Sequence, residues 1–421
     1  MLRAEKIYCL YSFSCPDLSR LVKSGTRLYN PFILFMETGM KKSSIRFLNF
    51  YLITLLVIVT RTSYASEDRY FDSAPEKQKS VVLAVCYPST GSIRALVSLR
   101  NHRLIDIDDL LVVGVYYEKE RTDYQRSKMY VKNNYIDWIK FHEIKGDLNQ
   151  DELYQNNILT PEFEKIFKKS DGIIFFGGAD IPPYIYGEKT ALLTSITTPY
   201  RSMYELSFIF HLLSGSQNQE FIPLLNDSPK YPVLGICLGA QSLNVGTGGT
   251  LIQDIWRDFY NLEYLEDVIN MPESVWHTNP HAQLHPEKSY FPYKMHPIKL
   301  DPKGKFVREF GFKPDDTPYI LSAHHQSAGK IGLGFLPTAV SLDGKVVEAI
   351  EHQRFPYVLG VQFHPEFPLL YDETSYYIFI PEATDKTNIF ALLKENPPSY
   401  SFHQKIWSWF SNALQEYHQN K

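Results

Sequence analysis

The sequence predicts an α/β protein built on a mostly parallel sheet with helices on both faces. Short continuous apolar runs at 81–85, 110–117, 172–176 and 233–236 read as strands buried on both sides. Helical patterns separate these runs, as in right-handed βαβ units. Several of the runs end in glycine-bearing turns, at the carboxyl ends where such sheets form their sites.

Composition sets the outer bounds. The chain has 421 residues, 44% of them hydrophobic and 21% charged, enough for a substantial core. Its formal net charge of −4 shows no basic excess, so a nucleic-acid partner is not expected. Four cysteines stand apart without metal-type spacing.

Taken in order, residues 1–39 have no clear period and read as a gene-start artefact, with translation beginning at Met40. Lys41, Lys42 and Arg46 then precede an apolar stretch over 47–60, followed by Ser63-Tyr64-Ala65. A basic start, an apolar middle and a small-x-small end make residues 40–65 a signal peptide, which predicts a secreted or periplasmic protein. The apolar stretch falls short of the roughly 20 residues needed to cross a bilayer, so no membrane span is expected after cleavage. Residues 66–421 are then one domain. Within it a helix is expected over 92–99 and a weaker strand over 135–144. Thr160-Pro161-Glu162 has the form of a helix start, a capping hydroxyl before proline and acid. Further helices are expected over 201–213, 384–394 and 401–417, and further strands at 319–322, 346–350 and 357–363. Residues 256–316 are irregular and read as an excursion over the active face with short strands, not a second domain.

Three features fall at predicted strand ends. Gly235-Ile236-Cys237-Leu238-Gly239 is the thiol form of the Gly-x-Ser-x-Gly turn, which lifts a nucleophile above a sheet. A helix beginning there would favour the thiolate of Cys237. By itself the motif also suits a buried structural cysteine. Gly177-Gly178 follows the run at 172–176, and His364-Pro365-Glu366 follows the run at 357–363. His364 is the candidate base, with Glu366 to orient its ring. The amides of Leu238 and of Gly177 or Gly178 are candidate oxyanion donors. A lone His-x-Glu pair or Gly-Gly turn is commonplace; their placement at the ends of one sheet is what favours the nucleophile. Cys86 ends another strand. An oxidised Cys86–Cys237 pair would abolish thiolate chemistry, and free thiols are the expectation.

GICLGAQSLNVGTGGTLIQDI (235–255) closely resembles the nucleophile segment of class I glutamine amidotransferase-like hydrolases, and VLGVQFHPE (358–366) resembles their His-Pro-Glu segment. FFGGADIPPYIYGE (175–188), HHQSAGKIGLGF (324–335) and DGKVVEAIE (343–351) narrow the resemblance to the γ-glutamyl-γ-aminobutyrate hydrolase and γ-glutamyl hydrolase type. It covers most of 80–395, though not 1–79 or the last helix, and implies flavodoxin-like layering. By position, Cys237 resembles the acylated nucleophile, His364 the base and Glu366 its orienting acid. Gln241 matches the side chain that reads the α-amino-acid end of a γ-glutamyl group; His325 and Gln326 are further substrate-binding candidates. The implied reaction passes through a γ-glutamyl thioester on a small γ-glutamyl substrate, with no metal and no organic cofactor. Leu238 stands where many relatives carry arginine or another polar residue, and Ser202 where an acid often follows Arg201. These departures bear on the amine side of the substrate.

Two other readings belong to different classes: a glutaminase subunit feeding a separate synthase, and a non-catalytic binding protein on the same fold. Export speaks against the first, and the intact Cys237, His364 and Glu366 speak against the second. A homodimer stays open.

Overall fold

A computed structural model describes residues 68–381, 383 and 386–421. The gene-start and leader expectations for 1–65 lie outside the described residues, as do positions 384 and 385 of one predicted helix. Among the described residues, one sheet of ten strands carries the fold. The strands are β1 (Val81–Cys86), β2 (Leu110–Tyr117), β3 (Ile139–Ile144), β4 (Gly172–Phe175) and β5 (Val233–Ile236). After them come β6 (Lys294–Leu300), β7 (Tyr319–Ser322), β8 (Phe335–Ser341), β9 (Val347–His352) and β10 (Val358–Val361). Their spatial order is β3-β2-β1-β4-β5-β10-β9-β8-β6-β7. The first six in that order are parallel. The remaining four extend the sheet antiparallel.

Seven longer helices accompany the sheet: α1 (Thr90–Asn101), α2 (Tyr124–Asn133), α3 (Thr160–Lys169), α4 (Pro199–Leu213), α5 (Leu238–Gly246), α6 (Ile389–Glu395) and α7 (Ser399–Asn420). Strand β1 shows why both faces are covered. Val81, Leu83 and Val85 pack with α1, α2 and α7, while Val82, Ala84 and Cys86 pack with α3, α4 and α5. Successive side chains of a strand point to opposite faces, so an unbroken apolar run needs a layer on each. Each fully buried Leu, Ile or Phe side chain adds roughly 1.5–3 kcal/mol.

Local chemistry starts the helices in different ways. Ser89 caps α1 by accepting the Ser92 amide at 3.1 Å. Thr160 was expected to cap α3 but is its first helical residue. Its hydroxyl instead accepts the Asn157 amide and pairs with His211 Nε2, both at 2.8 Å. Within residues 256–316, where short strands were expected, β6 arises and joins the main sheet. No helix among the described residues is long and apolar enough to cross a membrane.

The sheet register also separates the two cysteines, both of which are free. Cys86 lies opposite Phe175 of β4, and Phe175 lies opposite Gly235 of β5. Two strand spacings are about 9.6 Å, and Cys237 lies two residues further along β5. A disulfide needs Cα atoms within about 7 Å. This fold therefore keeps them apart.

Candidate active site

Cys237 occupies the junction of β5 and α5 with φ 53° and ψ −107°. That left-handed conformation costs a non-glycine residue on the order of 1–3 kcal/mol and recurs where a nucleophile is held up from a strand end. The flanking glycines permit the turn. A Cβ on Gly239 would stand 1.9 Å from the Phe175 carbonyl oxygen, and one on Gly235 would stand 2.6 Å from Gly239. The turn is so tight that α5 lies directly against β4 and β5. Cys237 is only 7% exposed.

β10 lies beside β5, with Val361 opposite Ile236, and the Cys237 amide donates to the Val361 carbonyl at 2.8 Å. The chain leaving β10 therefore brings His364 alongside the cysteine. The His364 amide bonds the Leu321 carbonyl of β7 at 2.9 Å. Its Nδ1 meets Glu366 Oε1 at 2.7 Å, and both side chains are buried. Burial opposes protonation of His364, yet the Glu366 charge and the adjacent Cys237 sulfur outweigh it and hold its pKa well above the ordinary imidazole value. The balance favours a protonated ring facing Sγ. Two residues outside the sequence motifs fix the backbone between His364 and Glu366. Tyr371 Oη at 2.6 Å and Trp407 Nε1 at 3.1 Å both donate to the Pro365 carbonyl. Trp407 belongs to α7, the helix that the resemblance left uncovered.

The Gly177-Gly178 turn closes the site from β4. A Cβ on Gly177 would fall 3.1 Å from His364 Cε1 and 3.4 Å from the Cys237 Cβ. Arg201 of α4 anchors the carbonyl side of this turn. Its Nη2 bonds the Phe176 carbonyl at 2.6 Å and its Nη1 bonds the Gly177 carbonyl at 3.2 Å, while Nε pairs with Glu205 at 2.8 Å. Leu238, the first residue of α5, has an amide with no partner one turn back along the helix, as at every helix N-terminus. This amide adjoins the cysteine and is placed to receive a developing oxyanion. Arg201→Met would strand the buried Glu205. We expect a loss of about 3–5 kcal/mol, as when one partner of a buried ion pair is removed. Chemical denaturation of the variant against the wild type measures it.

Gln241 and Gln326 converge on the same place, joined by Gln362, which sequence reasoning missed. Gln241 Nε2 reaches Gln362 Oε1 at 3.2 Å and the Gln326 carbonyl at 3.4 Å, and Gln362 Nε2 reaches Cys237 Sγ at 3.7 Å. The Gln326 side chain turns to the Gln253 carbonyl instead, at 3.2 Å. His325 stands apart from the sulfur, between Asp180 (3.1 Å) and Asp254 (3.4 Å). It borders a cleft of about 440 Å³ with walls that include Trp256, Leu262, Tyr264 and Val268. Partial burial opposes its charge, but the two carboxylates raise its pKa to about 9.

A folded pKa above the unfolded one of about 6.5 has a definite sign. The stabilisation is complete below pH 6.5 and disappears as pH climbs to about 9. His325→Gln should flatten the pH dependence of thermal unfolding across that window and leave the region below it parallel to wild type.

The sequence profile of Peptidase C26 matches residues 112–366, which span β2 through Glu366. The chain belongs to the Peptidase C26 family, a class I glutamine amidotransferase-like group. It is 32% identical over 196 residues to a protein of Lactococcus lactis subsp. lactis named as glutamine amidotransferase-like, covering 47% of this chain and 66% of that one. A protein of Mycobacterium tuberculosis named as a glutamine amidotransferase is 29% identical over 194 residues, 46% of this chain and 50% of its own length. The γ-glutamyl-γ-aminobutyrate hydrolase of Escherichia coli strain K12 is 28% identical over 206 residues, 48% of this chain and 67% of that enzyme. The chain thus spans less than two thirds of the first two relatives.

Proposed function

We propose that the protein hydrolyses γ-glutamyl amide bonds through a thioester on Cys237. The observation that carries this reading is the meeting of Cys237, on a strained strand–helix turn, with the buried His364–Glu366 pair at the neighbouring strand end. Family membership and the similarity to a γ-glutamyl-γ-aminobutyrate hydrolase support the substrate class.

The sulfur attacks the γ-carbonyl carbon, forming a C–S bond while the carbonyl electrons move to oxygen. Amides of Gly177, Gly178 and Leu238 stabilise that oxyanion. His364 passes its proton to the leaving nitrogen as the C–N bond breaks and the amine departs. His364 then accepts a proton from water, whose oxygen attacks the thioester. The C–S bond breaks, glutamate leaves, and His364 again carries a proton beside the freed sulfur. Gln241 reads the α-amino-acid end, and the cleft beside His325 takes the amine portion. On the leader-like segment 40–65 the proposal also places the enzyme outside the cytoplasm, a point for cell fractionation.

The test is glutamate release by the purified full chain from a panel of γ-glutamyl amines, γ-glutamyl peptides and glutamine. Preferred release from an amine or peptide is expected. Folded protein that releases none would overturn the reading, and a strict preference for glutamine would favour the glutaminase one.

A further inference from the structure

We propose that His277, His296, His324 and Glu348 bind one divalent cation of the zinc class, which braces the wall of the active site. These residues come from separate parts of the chain. His277 precedes the short helix Pro280–Leu284, His296 lies on β6, His324 follows β7 and Glu348 lies on β9. All four are buried, with exposures of 1%, 0%, 4% and 0%.

Their donor atoms face a common point. Glu348 Oε1 lies 3.2 Å from His277 Nδ1 and 3.6 Å from His296 Nε2, and Oε2 lies 3.5 Å from His324 Nε2. The four ligand atoms fall within 4.8 Å of one another. Zinc bonds of about 2.0–2.2 Å in a tetrahedron place neighbouring ligand atoms about 3.3–3.6 Å apart. An imidazolium donating directly to the carboxylate would come closer, to about 2.7–2.9 Å. The spacing suits a shared cation better than a direct ion pair.

The outer nitrogens fix which lone pairs point inward. His324 Nδ1 bonds the Gln326 carbonyl at 2.9 Å, and His296 Nδ1 bonds the Pro297 carbonyl at 3.2 Å. A carbonyl only accepts, so these Nδ1 atoms carry the protons. In neutral rings each Nε2 then turns a lone pair toward Glu348, the arrangement that orients metal-bound histidine. Without a cation, lone pair would face lone pair in a buried site, which is costly. Among the described residues, none of these inward nitrogens and neither Glu348 oxygen makes a hydrogen bond of good distance and angle, the contacts between them being ionic at 3.2–3.6 Å. Three imidazoles and one carboxylate suit zinc better than magnesium or calcium, which prefer oxygen. Four protein ligands leave no open position, so the cation holds structure and takes no part in the cysteine chemistry.

The consequence reaches the active site by two short routes. The Gln326 carbonyl that orients His324 also accepts from Gln241. The Glu348 carbonyl accepts the Gln362 amide at 2.8 Å, and Gln362 touches the Cys237 sulfur. The inference stands independently of the substrate.

The test uses the full chain without a histidine tag, purified without chelator from zinc-containing and cobalt-containing media. Elemental analysis should find about one metal per chain, and the cobalt form should show the intense visible bands of four-coordinate cobalt. His296→Asn should bind zinc at least about 10-fold more weakly, the least expected when even an outer partner of a ligand is removed. Should that variant fail to fold, the wild-type chain decides alone. Metal-free protein should rise by about 5 °C in Tm with zinc at about 100 times its dissociation constant. Wild-type protein with under about a tenth of an equivalent of metal, and no Tm change on adding zinc, would overturn the proposal. So would an unchanged zinc affinity in folded His296→Asn.

Discussion

Cys237→Ala should lower γ-glutamyl hydrolysis by at least about 1,000-fold while the protein stays folded, because the covalent path disappears and only binding and the oxyanion donors remain. The substitution removes one buried sulfur and relaxes nothing else in the turn. The Cys237 amide still bonds the Val361 carbonyl, and Gly235 and Gly239 still permit the close passage of α5. The strain at φ 53° persists with alanine, so stability should change little. Glutamate release and thermal unfolding, measured together, separate loss of the nucleophile from loss of the fold. Residual activity within about 10-fold of wild type would mean that the sulfur forms no intermediate.

Glu366→Gln should cost about 1,000- to 10,000-fold in kcat, the range expected when the acid that orients a catalytic histidine loses its charge. Glu366 is also the leading counterweight to burial in keeping His364 protonated. The sign follows from that balance. Loss of the His364 proton removes the acid that the leaving nitrogen needs, so activity falls as pH passes the His364 pKa. Without the carboxylate that pKa falls, so the alkaline limb of kcat/KM should move to lower pH. A purely structural role for Glu366 would lower activity evenly at every pH. The pH–rate profile of the variant distinguishes the two.

The parallel half of the sheet was legible because its strands are buried on both faces, and such strands write themselves as runs like Val81-Val82-Leu83-Ala84-Val85. The antiparallel half was harder to read. No strand was expected at β8, which contains Pro337; the structure accommodates it beside register shifts at Pro337 and Ala339. Helix α2 was missed because its polar sequence buries only Tyr124, Ser127 and Val131. A helix with so narrow an apolar stripe gives a weak period.

The same contrast runs through the site. Cys237, His364, Glu366 and the Gly177-Gly178 turn sit at strand ends, where local motifs announce them. Arg201 and Glu205, buried against the turn, carry no local signal, since a helical Arg-x-x-x-Glu commonly reads as a surface pair. Gln362 lies two residues before His364, and Trp407 reaches Pro365 from a helix forty residues away. The histidines around Glu348 are separated by long stretches of chain, and the fold gathers them from β6, the end of β7, β9 and the loop that carries His277. Such partners are specified by topology, which no single segment records.

The most direct measurement is mass spectrometry of the intact protein after exposure to a γ-glutamyl electrophile such as a glutamine-analogue inhibitor. The account predicts one adduct per chain, located on the peptide carrying Cys237, absent from Cys237→Ala and retained in Cys86→Ala. Labelling that persists in Cys237→Ala, or no adduct on a folded wild-type chain with free thiols, would contradict it.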